Sequence, residues 1–162
     1  MFTYTSQPTI LRAALTKRGV SREDLAYALD VSLRAVHRWL VEEENPNHRA
    51  MAPAQLQEVV YWLGGEGEVE FRFPRSMTGL KAYRLAEQRA RRLAEEAKNG
   101  HSAGTEGNDL RAAFLAARAR LASAKANALA YANPPAGQEL PAWIKIVGDE
   151  RHDPLFIIQA TA

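Results

Sequence analysis

Two arginines, Arg34 and Arg38, are four residues apart and would lie on one side of a helix. A guanidinium group is a planar fork that matches the O6 and N7 acceptors of guanine in the major groove of DNA. His37 lies beside Arg38, and Ser32 offers a hydroxyl for a base or a phosphate. This pattern predicts a surface that reads base edges. The outward positions of the predicted helix are Ser32, Leu33, Arg34, His37, Arg38 and Val41.

Two further arginines are candidates for contacts to the phosphate backbone. Arg22 stands at the start of the preceding predicted helix, where the helix dipole also favours an anion. Arg49 follows the segment that carries Arg34 and is a second candidate. Phosphate contacts of this kind position a protein on DNA but do not read its sequence.

Other features of the same segment favour a different interpretation. Arg34 and Arg38 could simply solvate an exposed helix. Residues 42–44 are three consecutive glutamates, which would repel phosphates and lie unfavourably at a helix C terminus. They could turn away from DNA or pair with Arg49, and both possibilities stay open.

Local sequence signals predict how these residues are positioned. Ser21 and Ser32 are each placed to cap the N terminus of a short amphipathic helix. Asp30 lies between the two helices, where the turn needs a positive φ that Asp tolerates better than most residues. We expect six residues to face inward: Leu25, Ala26, Leu29, Val36, Trp39 and Leu40.

This spacing is that of a helix-turn-helix, carried by Leu25, Ala26, Val31, Ser32, Val36 and Trp39. The segment resembles the repressor-like regulators of phages and plasmids (the Cro and CI type), closely over residues 21–40 and loosely over 1–65. Asp30 departs from the family, which prefers glycine there. The resemblance implies double-stranded DNA as the partner and transcription regulation as the function. Blocking RNA polymerase at a promoter would be its simplest consequence.

The rest of the chain alternates helical and strand patterns. The sequence predicts a mainly α protein, α+β overall, with a bundle of four short helices followed by a long helical hairpin and a small β-sheet. The predicted units are a DNA-binding head at 1–65, a strand and linker at 66–75, and a tail at 76–162. The predicted elements of the tail are helices at 76–98 and 108–131 and strands at 142–147 and 155–159.

The second long helix has apolar residues at heptad spacing, from Leu110 to Tyr131. A lone hairpin would leave this stripe exposed, so it needs the head, the strands or a second copy as a partner. Basic residues also recur every seven positions, and we favour a solvated flank over a DNA or acidic-partner contact for them. These residues are Arg84, Arg91 and Lys98 on one helix and Arg111, Arg118 and Lys125 on the other.

Positive charge is not concentrated in the predicted head. Residues 1–65 hold seven basic and seven acidic residues, whereas 76–98 hold six basic and three acidic. A neutral head attracts phosphates weakly, so one copy should bind DNA weakly. A homodimer formed through the tail would place two recognition helices in successive major grooves about 34 Å apart, on a palindromic operator.

Composition bounds the remaining possibilities. The chain has 162 residues, a net charge of +2 and no cysteine, which excludes disulfides and thiolate metal sites. It begins with no signal-peptide pattern, and no apolar stretch approaches the roughly 20 residues that span a bilayer. We therefore expect a soluble cytoplasmic protein without a membrane partner.

No pattern for catalysis or cofactor binding stands out. The histidines, His37, His48, His101 and His152, are scattered, and no glycine-rich phosphate loop is present. The sequence predicts no enzyme, no cofactor and no metal. Two functions are then left: a DNA-binding regulator, and an adaptor or mobile-element maintenance factor whose tail binds another protein while the head only localises it.

Overall fold

Helices make up most of the chain, with a small antiparallel sheet beside them. The computed structural model describes residues 6–64, 67–77, 79–99, 106–131, 137, 139–148 and 151–160. This architecture confirms the predicted fold class. The helices are α1 (Gln7–Arg18), α2 (Arg22–Leu29), α3 (Leu33–Leu40), α4 (Pro53–Gly64), α5 (Leu80–Asn99) and α6 (Glu106–Leu129); the strands are β1 (Gly67–Arg72), β2 (Ile144–Val147) and β3 (Leu155–Ala160).

The ends of α2 and α3 follow the predicted local signals. The Ser21 hydroxyl accepts from the Asp24 amide at 3.0 Å, and the Asp24 carboxylate accepts from the Ser21 amide in return. The Ser32 hydroxyl accepts from the Ala35 amide at 3.1 Å. Asp30 ends α2 with φ of 55°, the left-handed conformation that the turn requires. These contacts confirm both N-caps and the turn.

The inward faces of α2 and α3 meet in a core that α1 and α4 complete. Leu25 and Val36 are fully buried and Leu40 is nearly so. Trp39, predicted to face inward, is only half-buried at the edge of this core. Aliphatic side chains therefore fill the contact between α2 and α3, and the indole ring of Trp39 packs against the edge of this core.

The sheet has the order β1-β3-β2 with antiparallel pairs, so the last strand lies in the middle. Ile158 of β3 stands opposite Val69 on one side and Ile144 on the other. Phe156 and Ile158 are fully buried in one cluster with Leu121 of α6. The face of the sheet that carries these side chains thus packs against α6.

The long helix α6 is the central element of the fold. Its Phe114 and Leu115 join the core of the first four helices, and its Leu121 joins the core under the sheet. Trp62 of α4 packs against both cores and meets Phe114 edge to face at 5.6 Å. The apolar stripe of the hairpin, apart from the exposed Tyr131 at its end, is therefore covered by the head and the sheet. The predicted head and tail thus share a core.

Some element boundaries differ from the sequence prediction. A 3₁₀ turn, Arg75–Met77, precedes α5, which starts at Leu80 because Gly79 adopts φ of 103° and interrupts the helix. Residues 142–143 form a turn, so β2 begins two residues later than predicted. Within the described segments, no helix is long and apolar enough to cross a membrane.

Candidate nucleic-acid interface

The outward face of α3 is accessible along most of its length. Ser32, Arg34 and His37 are exposed, and Leu33 retains 37% of its accessible surface. Arg38 is half-buried, so it is less free than Arg34 to reach another molecule. An exposed leucine beside an arginine suits the major groove, where the thymine methyl group offers an apolar contact and guanine offers two acceptors.

Arg22 and His37 lie next to each other across the motif. The Arg22 Nη1 donates to His37 Nδ1 at 2.9 Å. Guanidinium nitrogens only donate, so Nδ1 must accept and Nε2 then carries the proton in this contact. This contact ties the start of α2 to the middle of α3. The Asp24 carboxylate already occupies the N terminus of α2, which leaves the Arg22 side chain rather than the helix dipole to attract an anion.

Arg49 is held against its own loop. Its backbone amide donates to the Arg38 carbonyl at 3.0 Å, and its Nη1 donates to the carbonyls of Pro46 and His48 at 3.2 and 2.7 Å. The side chain is nevertheless exposed. It lies near the C-terminal half of α3, and a phosphate contact there stays a prediction.

The acidic segment after α3 is partly neutralised by α1. Arg12 pairs with Glu42 at 2.8 Å and also donates to the Leu40 carbonyl at 3.1 and 2.6 Å. A cation at a helix C terminus satisfies the last carbonyls and complements the dipole. Arg12 thus caps α3 while it offsets one glutamate, and the pairing of Glu42 is with Arg12 rather than with Arg49.

The basic stripe on α6 turns inward, which makes the predicted solvated flank wrong for this helix. Arg111 donates to the Ala28 carbonyl of α2 at 3.3 Å, Arg118 pairs with Glu58 of α4, and Lys125 donates to the side chain of Gln57. All three are half-buried. Heptad spacing put these residues on one face, as expected, but that face meets α2 and α4. On α5, by contrast, Arg84, Arg91 and Lys98 are exposed.

Glu58 is a buried carboxylate that joins three helices. Its side chain is 10% exposed, with Oε1 3.1 Å from Arg89 of α5 and Oε2 2.8 Å from Nε of Arg118 of α6. The buried Arg118 Nε makes no hydrogen bond of acceptable geometry, so the 2.8 Å contact is a charge pair rather than an aligned hydrogen bond. Two cations around one carboxylate keep the buried charge compensated.

Lys125 lies beside this cluster, and its side-chain hydrogen-bond partner is the neutral Gln57 rather than a carboxylate. Its ammonium group is 5.5 Å from the ring centroid of Phe71 and within hydrogen-bond reach of Gln57. Burial lowers the pKa of Lys125, Glu58 opposes that shift, and Arg89 adds to it. The charged form of this lysine is therefore poorly solvated.

Glu58 is a structural residue that the sequence-based predictions do not include. A signal existed, because Glu58 is the one charged residue of α4, with Val59 next to it. A lone carboxylate in an otherwise uncharged helix indicates a specific partner. The partners could not be named, since they come from helices that are distant in the sequence.

Comparisons with known proteins add no family assignment: no family model, no curated protein and no solved structure matches this chain. Among the residues that the structure describes, no three His, Asp or Glu side chains come together as a metal site. The candidate interface therefore stands on its residues and their exposure.

Proposed function

We propose that this protein is a sequence-specific DNA-binding transcriptional regulator whose α3 enters the major groove of double-stranded DNA. The observation that carries the proposal is the exposed face of α3, where Arg34 is accessible while Val36 and Leu40 fix the helix from below. A rigid helix with a free guanidinium group can hold the two parallel hydrogen bonds that guanine offers.

The surroundings of α3 also support the proposal. Arg22 and His37 form a donor pair at the N-terminal side of the motif, where a phosphate would lie in the docking geometry of helix-turn-helix proteins. Arg12 offsets Glu42 at the opposite end. Side-chain donors near the start of α2 and a compensated glutamate after α3 both favour contact with a phosphate backbone.

A homodimer is part of this proposal, because a neutral head supplies little attraction to DNA. The inner stripe of the hairpin is already covered, so a second copy would use another surface. The α5–α6 hairpin also has a groove in which Ala90, Ala94 and Ala119 lie between larger side chains, those of Tyr83, Glu87, Arg91, Arg120 and Asn127. Small side chains let helices of two copies approach closely.

Half-site spacing tests this function and its dimer together. Duplexes recovered by selection from random DNA would be rebuilt with one half-site, with two half-sites a helical turn apart, and with two half-sites offset by half a turn. We expect the duplex with full-turn spacing to bind about 100-fold more tightly than the single half-site, because the second contact becomes intramolecular. Fluorescence anisotropy gives the affinities and light scattering the mass of the complex. Equal affinity for all three duplexes would contradict the dimer.

A further inference from the structure

A crevice lies between α4, β1, α5 and α6, where the predicted head meets the tail, and no residue of α3 lines it. Its volume is about 590 Å³, within the range of small-molecule sites. Gln57 and Glu58 line one wall, Phe71 another, and Leu85, Arg89 and Lys125 the remainder. It is therefore a space that four elements build together.

The charges around the crevice do not balance. Arg89 and Lys125 line the crevice together with Glu58, and these three carry one more positive than negative charge. Glu58 also pairs with Arg118, which is not part of the lining. Glu70 and Arg72 of β1 also line the crevice and offset each other. An anion entering the crevice would meet excess positive charge in a partly desolvated place, where each charge pair is stronger than in water.

Part of the lining is apolar. Phe71 stacks on Phe156 with ring centroids 5.0 Å apart, which fixes its orientation from the sheet side. Leu85 lines the crevice while 45% of its surface is exposed. The lining thus combines the apolar side chains of Phe71 and Leu85 with the cationic groups of Arg89 and Lys125.

We propose that this crevice binds a small monocarboxylate with an apolar, ring-sized body. The carboxylate faces Lys125 and Arg89, and the body packs between Phe71 and Leu85. The anion adds negative charge where Lys125, Arg89 and Arg118 share the one carboxylate of Glu58, and the body covers the exposed part of Leu85. No residue of α3 lines this crevice. The result of a ligand-binding experiment therefore neither supports nor contradicts DNA binding by α3.

Isothermal titration of the full chain with 2-naphthoate tests the proposal. The neutral isostere 2-naphthamide is the control. We expect saturable binding of one naphthoate per chain, and naphthamide weaker by about tenfold or more, since it cannot form the charge pair. Lys125→Met removes the charge and keeps the length of the side chain, so it should weaken naphthoate by about tenfold or more. Lys145→Met removes a charge from an exposed position of β2 and should change the affinity by less than about twofold.

A second variant keeps the test valid if Lys125→Met fails to fold. Leu85→Ala shortens a partly exposed side chain and should weaken naphthoate by about fivefold through lost apolar contact. The proposal is overturned if the wild-type chain shows no saturable binding at millimolar naphthoate. Equal binding of naphthoate and naphthamide, or equal affinities of the Lys125→Met and Lys145→Met variants, would overturn it as well.

Discussion

Replacing Glu58 with glutamine is expected to lower the free energy of unfolding by about 2–4 kcal/mol, the largest stability effect that we predict for an ion-pair residue here. The substitution keeps the size of the side chain and removes its charge. Arg89 and Arg118 then face each other and Lys125 without an anion. Because Arg89 is 45% exposed and partly solvated, the loss should fall below that for a fully buried pair.

Urea unfolding followed by circular dichroism measures this change, and Glu42→Gln provides the matched control. Glu42 also pairs with an arginine at 2.8 Å, but it is 63% exposed, so its loss should cost less than about 0.5 kcal/mol. A double-mutant cycle of Glu58→Gln with Arg118→Met should show a coupling of about 1 kcal/mol or more. Similar costs for the two glutamate variants would mean that burial of Glu58 does not matter.

Replacing Arg34 with alanine is expected to weaken binding to a selected DNA site by about 5- to 150-fold, the loss of one bidentate contact of about 1–3 kcal/mol. The side chain is exposed, so its removal should leave the melting temperature unchanged. Arg38 differs, because it is half-buried and its truncation would change folding and binding together. Arg34 is therefore the cleaner position to test.

Two matched variants separate base reading from simple charge. Arg34→Lys keeps the positive charge but loses the planar fork, so it should lose specificity nearly as fully as Arg34→Ala. Arg92→Ala removes an exposed arginine of α5 and should change affinity by less than about twofold. If Arg34→Lys bound the selected site like the wild type, Arg34 would not make the bidentate contact with guanine.

Local features of the fold could be predicted from the sequence because their causes are local. Ser21 and Ser32 cap the helices that follow them, and Asp30 makes the turn that its backbone tolerance allows. The strand around Phe71 followed from its alternating pattern. Each of these depends on residues within a few positions along the chain.

Contacts between distant elements could not be predicted in the same way. Heptad spacing placed Arg111, Arg118 and Lys125 on one face of α6, but only the fold brings that face against α2 and α4. The crevice beside Lys125 likewise needs β1 to pair with β3, which comes some 85 residues later in the chain. Which side of a helix is buried thus depended on partners that the sequence did not specify.

For the candidate interface, the sequence predicted which residues of α3 face outward. It did not predict the contacts that these residues and their neighbours make with α1 and α2. Exposure of Ser32, Arg34 and His37 follows from helical periodicity. The contact of His37 with Arg22, and that of Glu42 with Arg12, depend on how three helices cross. These contacts decide which donors are free for DNA.

Selection of bound duplexes from a random library, with the full chain and with Arg34→Lys, tests the central claim most directly. We predict that the wild-type chain enriches a palindromic sequence with a guanine at one fixed position of each half-site. The preference for that guanine should disappear with Arg34→Lys, while the spacing of the half-sites is kept. A wild-type chain that enriches no sequence would contradict a DNA-reading function for α3.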